Sequence, residues 1–312
     1  MSSAACGGHP CTQTVQSGVC YNQSAVGDHV DQTDIRPSPI AGRWYPAQPD
    51  VLRGSIEAWL QDIQTEQMEG QPVGVIVPHA GHRYSGSVAA HAFAHLRDQE
   101  PELVAVLSPL HSPVAETIAT TAHQSYRTPL GTIEVDHDLL RQVEEQFLTR
   151  QGSKFVCLRE DQEHALEIEL PFLQVALKKP FKLLPIMLRD QGRSTARNLA
   201  DALQATLQTT RVILVASSDL SHFYPQEVAE RLDGEMLRRV ESFDPQGVLE
   251  AELQGVGFAC GRGAIAATLW TAEALGADKV RVVDYATSGD ITQDFDSVVG
   301  YGAALITRSA SA

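Results

Sequence analysis

The sequence predicts an α/β fold, with a central, mostly parallel or mixed sheet flanked by helices on both faces. Three observations support this. Short β-branched apolar runs recur along the chain, and continuous apolar runs are what strands buried on both faces require. Segments of helical periodicity alternate with them. The 312 residues, 43% hydrophobic and 20% charged, are enough for one enzyme-sized core.

In chain order, residues 1–34 read as a flexible leader rich in Ser, Gly, Gln and Thr. The leader holds Cys6, His9, Cys11 and Cys20, whose spacing matches no familiar zinc pattern. A single domain is expected over 35–308, followed by a tail at 309–312. Pro37, Pro39 and Pro46 frame a turn-rich start around Gly42-Arg43-Trp44-Tyr45. Val51, Leu52, Ile56, Trp59, Leu60 and Ile63 fall at helical spacing and predict a first helix. Strands are predicted at 73–77, 103–107, 181–188, 212–216 and 280–285. Helices are predicted at 85–97, 137–146, 162–177, 194–207, 226–241 and 262–275. Residues 297–307 alternate imperfectly and suggest an edge strand.

Acidic residues outnumber basic ones 39 to 24, and a net charge of −15 repels a phosphate backbone, so nucleic acid is not an expected partner. The sequence has no apolar run long enough to span a bilayer and no basic-then-apolar start, which gives the expectation of a cytoplasmic protein without membrane partners. A nucleotide cofactor is not indicated, since no Gly-x-Gly-x-x-Gly or P-loop pattern follows a strand.

In open parallel sheets ligands bind beyond the carboxyl ends of the strands. Three strand ends there carry a histidine: Pro78-His79-Ala80-Gly81, Pro109-Leu110-His111-Ser112, and Ser217-Ser218-Asp219-Leu220-Ser221-His222. One such histidine is as easily a loop-packing residue; three are a candidate site. Prolines stiffen the turns at His79 and His111, and Gly81 is expected to let the backbone bend sharply. Cys260, in Phe258-Ala259-Cys260-Gly261-Arg262, precedes a helical run. The helix dipole and Arg262 would favour a thiolate there, either metal ligand or nucleophile; the alternative is a small buried apolar residue. Cys157 lacks such surroundings and reads as core. In Glu163-His164-Ala165-Leu166-Glu167, read as helix, Glu163 and Glu167 share one face while His164 faces apolar neighbours, fitting a core or a pocket histidine alike.

Taken in order, Gly42-Arg43-Trp44-Tyr45, Pro78-His79-Ala80-Gly81, the Pro109–His111 turn, Glu163-His164, Ser217-Ser218-Asp219 with His222, and Cys260-Gly261-Arg262 resemble the Memo family. Its prokaryotic members are called AmmeMemoRadiSam system protein B, and its fold is similar to that of class III extradiol dioxygenases. The resemblance implies that His79, His111 and Cys260 face a metal, that His222 takes the acid/base position with Asp219 at its side, and that Trp44, Tyr84 and His164 line a pocket. His82 stands where an aromatic residue is common in relatives, and could add a ligand or line the pocket. Sulfur in place of the dioxygenase carboxylate suits softer metals, so the implied cofactor is a divalent transition metal, iron(II) first, with copper or zinc as alternatives. Radical-SAM and AMMECR-type proteins are partners by family association.

The leading expectation is a mononuclear non-haem metal oxidoreductase, dioxygenase-like, acting on a small organic substrate. The second is an adaptor that uses the same cleft to bind a partner, with any metal structural or regulatory. A zinc deaminase would need His-x-Glu with Pro-Cys-x-x-Cys, and a serine hydrolase a Gly-x-Ser-x-Gly elbow; the sequence has none of these.

Overall fold

The computed structural model describes residues 34–65 and 70–309. The leader with its three cysteines and His9, apart from Asp34, lies outside the described residues, as does most of the expected tail. Among the described residues the elements run β1 (Ile35–Arg36), α1 (Pro49–Asp62), β2 (Gln71–Val77), α2 (His82–Phe93), β3 (Leu103–Pro109), β4 (Ile118–Thr121), β5 (Ser125–Thr128) and β6 (Gly131–Glu134). Next come α3 (His137–Gln151), β7 (Val156–Leu158), α4 (Leu170–Ala176), β8 (Lys182–Leu188), α5 (Arg193–Leu207), β9 (Val212–Ser217) and β10 (His222–Tyr224). The chain continues through α6 (Gln226–Glu241), α7 (Pro245–Leu253), α8 (Arg262–Ala274), β11 (Lys279–Thr287), α9 (Gly289–Thr292) and β12 (Val298–Arg308).

The main sheet is mixed, in the order β10-β12-β2-β9-β3-β8-β4-β7, with β11 also paired to β12. Its centre, β2-β9-β3-β8, is parallel. Here β9 is inserted between β2 and β3, so the two strands that deliver His79 and His111 flank the one that delivers Ser217. Adjacent strands lie about 4.8 Å apart, so side chains from the ends of these three can reach one point. Every residue of β3 is buried, as is β2 from Val73 onward, so both faces of this centre are covered. One hydrophobic core extends through the described residues from Ile40 to Ile306.

Three expectations are corrected. Residues 297–307 do not form an edge: β12 pairs with β2, β10 and β11, because its buried small residues Ala303 and Ala304 admit neighbours on both sides. The helix expected at 162–177 is shortened to a 3-10 turn, Glu167–Glu169, and α4. The Glu163 carboxylate accepts the backbone N–H groups of His164 and Ala165, which folds this stretch as a turn. Gly81 is not a sharp bend, having φ −55°; a Cβ there would sit 3.3 Å from the Trp44 carbonyl oxygen, so its service is close approach. A second, three-stranded sheet, β1-β5-β6, brings Arg36 beside Tyr126.

Candidate metal centre

One ligand atom each from His79, His111 and Cys260 lies within 4.8 Å of the others, a group that could hold a metal ion. His79 follows β2, His111 follows β3, and Cys260 sits just before α8. His79 is buried, whereas the His111 side chain is 43% exposed, so solvent reaches the trio past His111. The His79 Nε2 to Cys260 Sγ distance is 3.2 Å.

Hydrogen bonding decides which nitrogen of each imidazole carries the proton. Glu163 Oε1 lies 3.0 Å from His111 Nδ1, and an ionised carboxylate only accepts, so Nδ1 donates, and in the neutral ring it is Nε2 that keeps a lone pair. The Glu163 carboxyl is held down at about 2: burial opposes this, but the hydrogen bond and charge of His111 and the N–H groups of Ala165 and His111 prevail. The same hydrogen bond raises the pKa of His111.

At His79, Ser217 Oγ stands 2.9 Å from Nδ1 and 2.6 Å from the Ala165 carbonyl. A carbonyl can only accept, so the serine proton goes there and His79 Nδ1–H donates to the serine oxygen. Glu169 Oε1 is 2.8 Å from the same oxygen, and burial pushes its carboxyl well above the usual range. Burial, then the charges of His164, His111 and His222, keep His79 neutral. Both imidazoles thus have a fixed Nδ1–H and turn Nε2 toward the centre of the trio, the arrangement in which histidines bind metals.

Cys260 departs from the expectation of a ready thiolate. Burial, with the nearby Asp219 charge, pushes its thiol up, and Arg262 is drawn off into an ion pair with Glu252. A bound cation would reverse this, since a coordinating thiol is deprotonated outright. Gly261 makes the placement feasible: its N–H donates to Ser218 Oγ over 2.8 Å, and a Cβ would come within 2.5 Å of the Ser217 carbonyl oxygen.

The remaining predicted residues divide. His164 and Trp44 join the trio: their rings lie 4.0 Å apart, His164 stacks on His111 at 4.8 Å, and His79 meets both histidines edge-on at 5.4 Å. Burial lowers His164 to about 4. With Glu163 and His111 it forms a second group of potential ligands that shares His111. His222 packs against Phe258 at the same edge, and its charge would be felt by His79. Asp219 serves His79 instead of His222: its Oδ1 accepts the backbone N–H groups of His79 and Ala80 at 2.7 and 3.2 Å, its Oδ2 lies 4.0 Å from His79 Nε2, and it makes no hydrogen bond to His222 among the described residues. Burial pushes its carboxyl up to about 7.

His82 turns away from the trio into the core, against Phe172 and Tyr45, with Nε2 3.2 Å from the Ile168 carbonyl. Tyr84 stands at the surface under the Arg83 guanidinium, with no ring or hydrogen-bond contact to the trio among the described residues. Cys157 is buried on β7, in keeping with its reading as a core residue. Two surface grooves, about 590 and 730 Å³, lie at the opposite, amino ends of the strands and contain none of these residues.

The family model for Memo-like protein matches residues 36–305. The chain belongs to the Memo family. Among Memo relatives, a MEMO1 family protein of Nitrosopumilus maritimus is 33% identical over 277 residues, covering 86% of this chain and 98% of its own. One from Methanopyrus kandleri is 32% identical over 289 residues, covering 88% and 99%, and one from Saccharolobus solfataricus is 33% identical over 282 residues, covering 85% and 96%. In this Memo chain the ordered motifs frame the site, but Glu163, Ser217 and Glu169 were not singled out as site residues from sequence. The Glu163-His164 pair was the available signal for the first of them.

Proposed function

We propose that this Memo protein is a mononuclear non-haem metal-dependent oxidoreductase, dioxygenase-like in fold and chemistry, acting on a small organic substrate in the cytoplasm. The observation that supports it is the convergence of two imidazoles and one sulfur, with both Nδ1–H groups already committed to protein acceptors. This donor set fits iron(II) first, with copper and zinc as alternatives. When bound, such an ion would supply Lewis acidity, open positions for substrate and, if redox-active, electrons for oxygen chemistry.

The protein's own groups do the rest. Glu163 and Ser217 hold the two rings, while Trp44 and His164 wall one side and restrict where a planar substrate can lie. Burial lowers the pKa of His222, which is therefore neutral at pH 7 and able to take a substrate proton as a general base. The test is elemental analysis of anaerobically purified protein, followed by oxygen uptake with candidate phenolics. Near-stoichiometric metal in the wild type that disappears in His79→Ala and Cys260→Ser is expected. Full metal content in both variants would refute the assigned ligands.

A second reading, an adaptor, draws on exposed Phe223, Tyr224, Ile291 and Phe295 beyond His222, apolar side chains of the kind that interfaces cover. Radical-SAM or AMMECR-type proteins are the partners this reading would test. Retention of a partner under chelation would favour it; loss of all partners with and without metal would end it.

A further inference from the structure

Both candidate ligand histidines are oriented by one short segment. Glu163 holds His111 Nδ1, and Ala165 and Glu169 hold Ser217, which holds His79 Nδ1. The segment is a turn and a 3-10 turn, so its own backbone bonding gives it little rigidity. Its fixation comes from a residue more than 120 positions away. Arg36, 2% exposed, places Nε and Nη2 on the two carboxylate oxygens of Asp161 at 3.0 and 2.5 Å, Nη1 on Glu167 Oε2 at 2.5 Å, and Nη2 also on the Glu163 carbonyl at 3.0 Å. The guanidinium lies 4.8 Å from the centroid of the Tyr126 ring.

The same network reaches the other wall of the site. Glu167 Oε1 accepts from Tyr45 Oη at 2.6 Å and from Ser38, and the Tyr45 neighbour is Trp44, whose ring packs against His164. One buried guanidinium therefore ties the turn that orients both imidazoles to the segment that carries Trp44. A planar, permanently charged fork can serve three separate acceptors at fixed angles; a lysine cannot.

We propose that Arg36 is a positioning residue for the metal centre, fixing residues 161–169 so that the Nε2 atoms of His79 and His111 converge. This rests on the metal-site reading above, and the experiment separates the two. Cobalt(II) is titrated into metal-stripped full-length protein while its absorption bands are followed, and thermal midpoints of the metal-free proteins are recorded in parallel. Three variants are compared with wild type: Arg36→Lys; Asp161→Asn, which keeps the side-chain shape while weakening the contact; and Phe147→Leu, a core change on α3 remote from the site. Cobalt affinity is expected to fall about tenfold or more in Arg36→Lys and by a smaller factor in Asp161→Asn, in the range of outer-shell substitutions at metal sites. Phe147→Leu should lower the thermal midpoint and leave the affinity unchanged. Wild-type affinity in Arg36→Lys, or in Asp161→Asn should the lysine variant fail to fold, would overturn the proposal, as would an equal affinity loss in Phe147→Leu. Absence of cobalt binding by the wild type would instead overturn the metal-site reading.

Discussion

Replacing Glu163 by glutamine tests the central geometry, because the change is nearly isosteric and removes only charge and one acceptor. Glu163 Oε1 accepts from His111 Nδ1, from the His164 N–H at 2.9 Å and from the Ala165 N–H at 3.0 Å, while Oε2 accepts the His111 N–H at 2.6 Å. A glutamine has one oxygen, so its NH2 must face at least one of these donors. Losing charge-assisted bonds of about 1.5–3 kcal/mol each, partly replaced by neutral ones of about 1 kcal/mol, gives a net cost of roughly 2–3 kcal/mol. In a chain of this size that lowers the thermal midpoint by about 3–5 °C.

The pH dependence carries a defined sign. The carboxyl of Glu163 is depressed to about 2 in the folded protein against an ordinary 4.5, so its stabilisation is fully present above pH 4.5 and is lost as pH falls toward 2. That difference corresponds to roughly 3 kcal/mol, in agreement with the hydrogen-bond figure. His111 behaves oppositely: its raised pKa favours the imidazolium, whose Nε2 proton competes with a metal ion. Metal uptake by the wild type should therefore fall off below that raised pKa, and Glu163→Gln should move the midpoint of uptake to lower pH while weakening affinity about 10- to 100-fold at pH 7.5. Cobalt titrations across pH 5–8 measure both. An unchanged midpoint together with wild-type affinity would refute the role assigned to Glu163.

Three further outcomes are expected. Asp219→Asn should stabilise the metal-free protein at pH 8, because burial raises the folded pKa to about 7 and ionisation above the ordinary 3.8 is paid only in the folded state; the gain, about 1–4 kcal/mol, should vanish below pH 4, as urea midpoints at the two pH values would show. Gly261→Ala should cost about 1–3 kcal/mol and displace Cys260, since its Cβ meets the Ser217 carbonyl backbone; thermal melts and cobalt-thiolate absorption check both effects. Cys260 in metal-free protein should alkylate more slowly at pH 8 than an exposed cysteine, because burial keeps it protonated; peptide mass spectrometry after timed iodoacetamide treatment reads this directly.

Much of the fold and part of the site were legible in the chain itself, because both are written at short range. The apolar runs at 73–77, 103–107 and 212–216 lie within strands β2, β3 and β9, and the run at 181–188 overlaps β8 from Lys182, since a strand buried on both faces must be apolar at consecutive positions. Histidines two to four residues beyond such runs are placed at the carboxyl edge by that local fact alone, and this edge is where His79 and His111 stand. Helical spacing marked 226–241 without error, as its amphipathic pattern required no partner to interpret.

What only the tertiary structure decided are the properties that depend on residues distant in sequence. The insertion of β9 between β2 and β3 brings Ser217 to His79 across 138 positions, and Glu163 reaches His111 across 52. The stretch 162–177 has helical periodicity, yet the Glu163 carboxylate captures its first N–H groups and leaves only a short helix. Arg262 looked able to support a thiolate at Cys260 until Glu252 took its charge and the surrounding protein disfavoured the ionised thiol. Periodicity reports which face of a segment is apolar; the protonation and partners of a side chain follow from the dielectric and donors around it, and those are assembled only when the chain closes on itself.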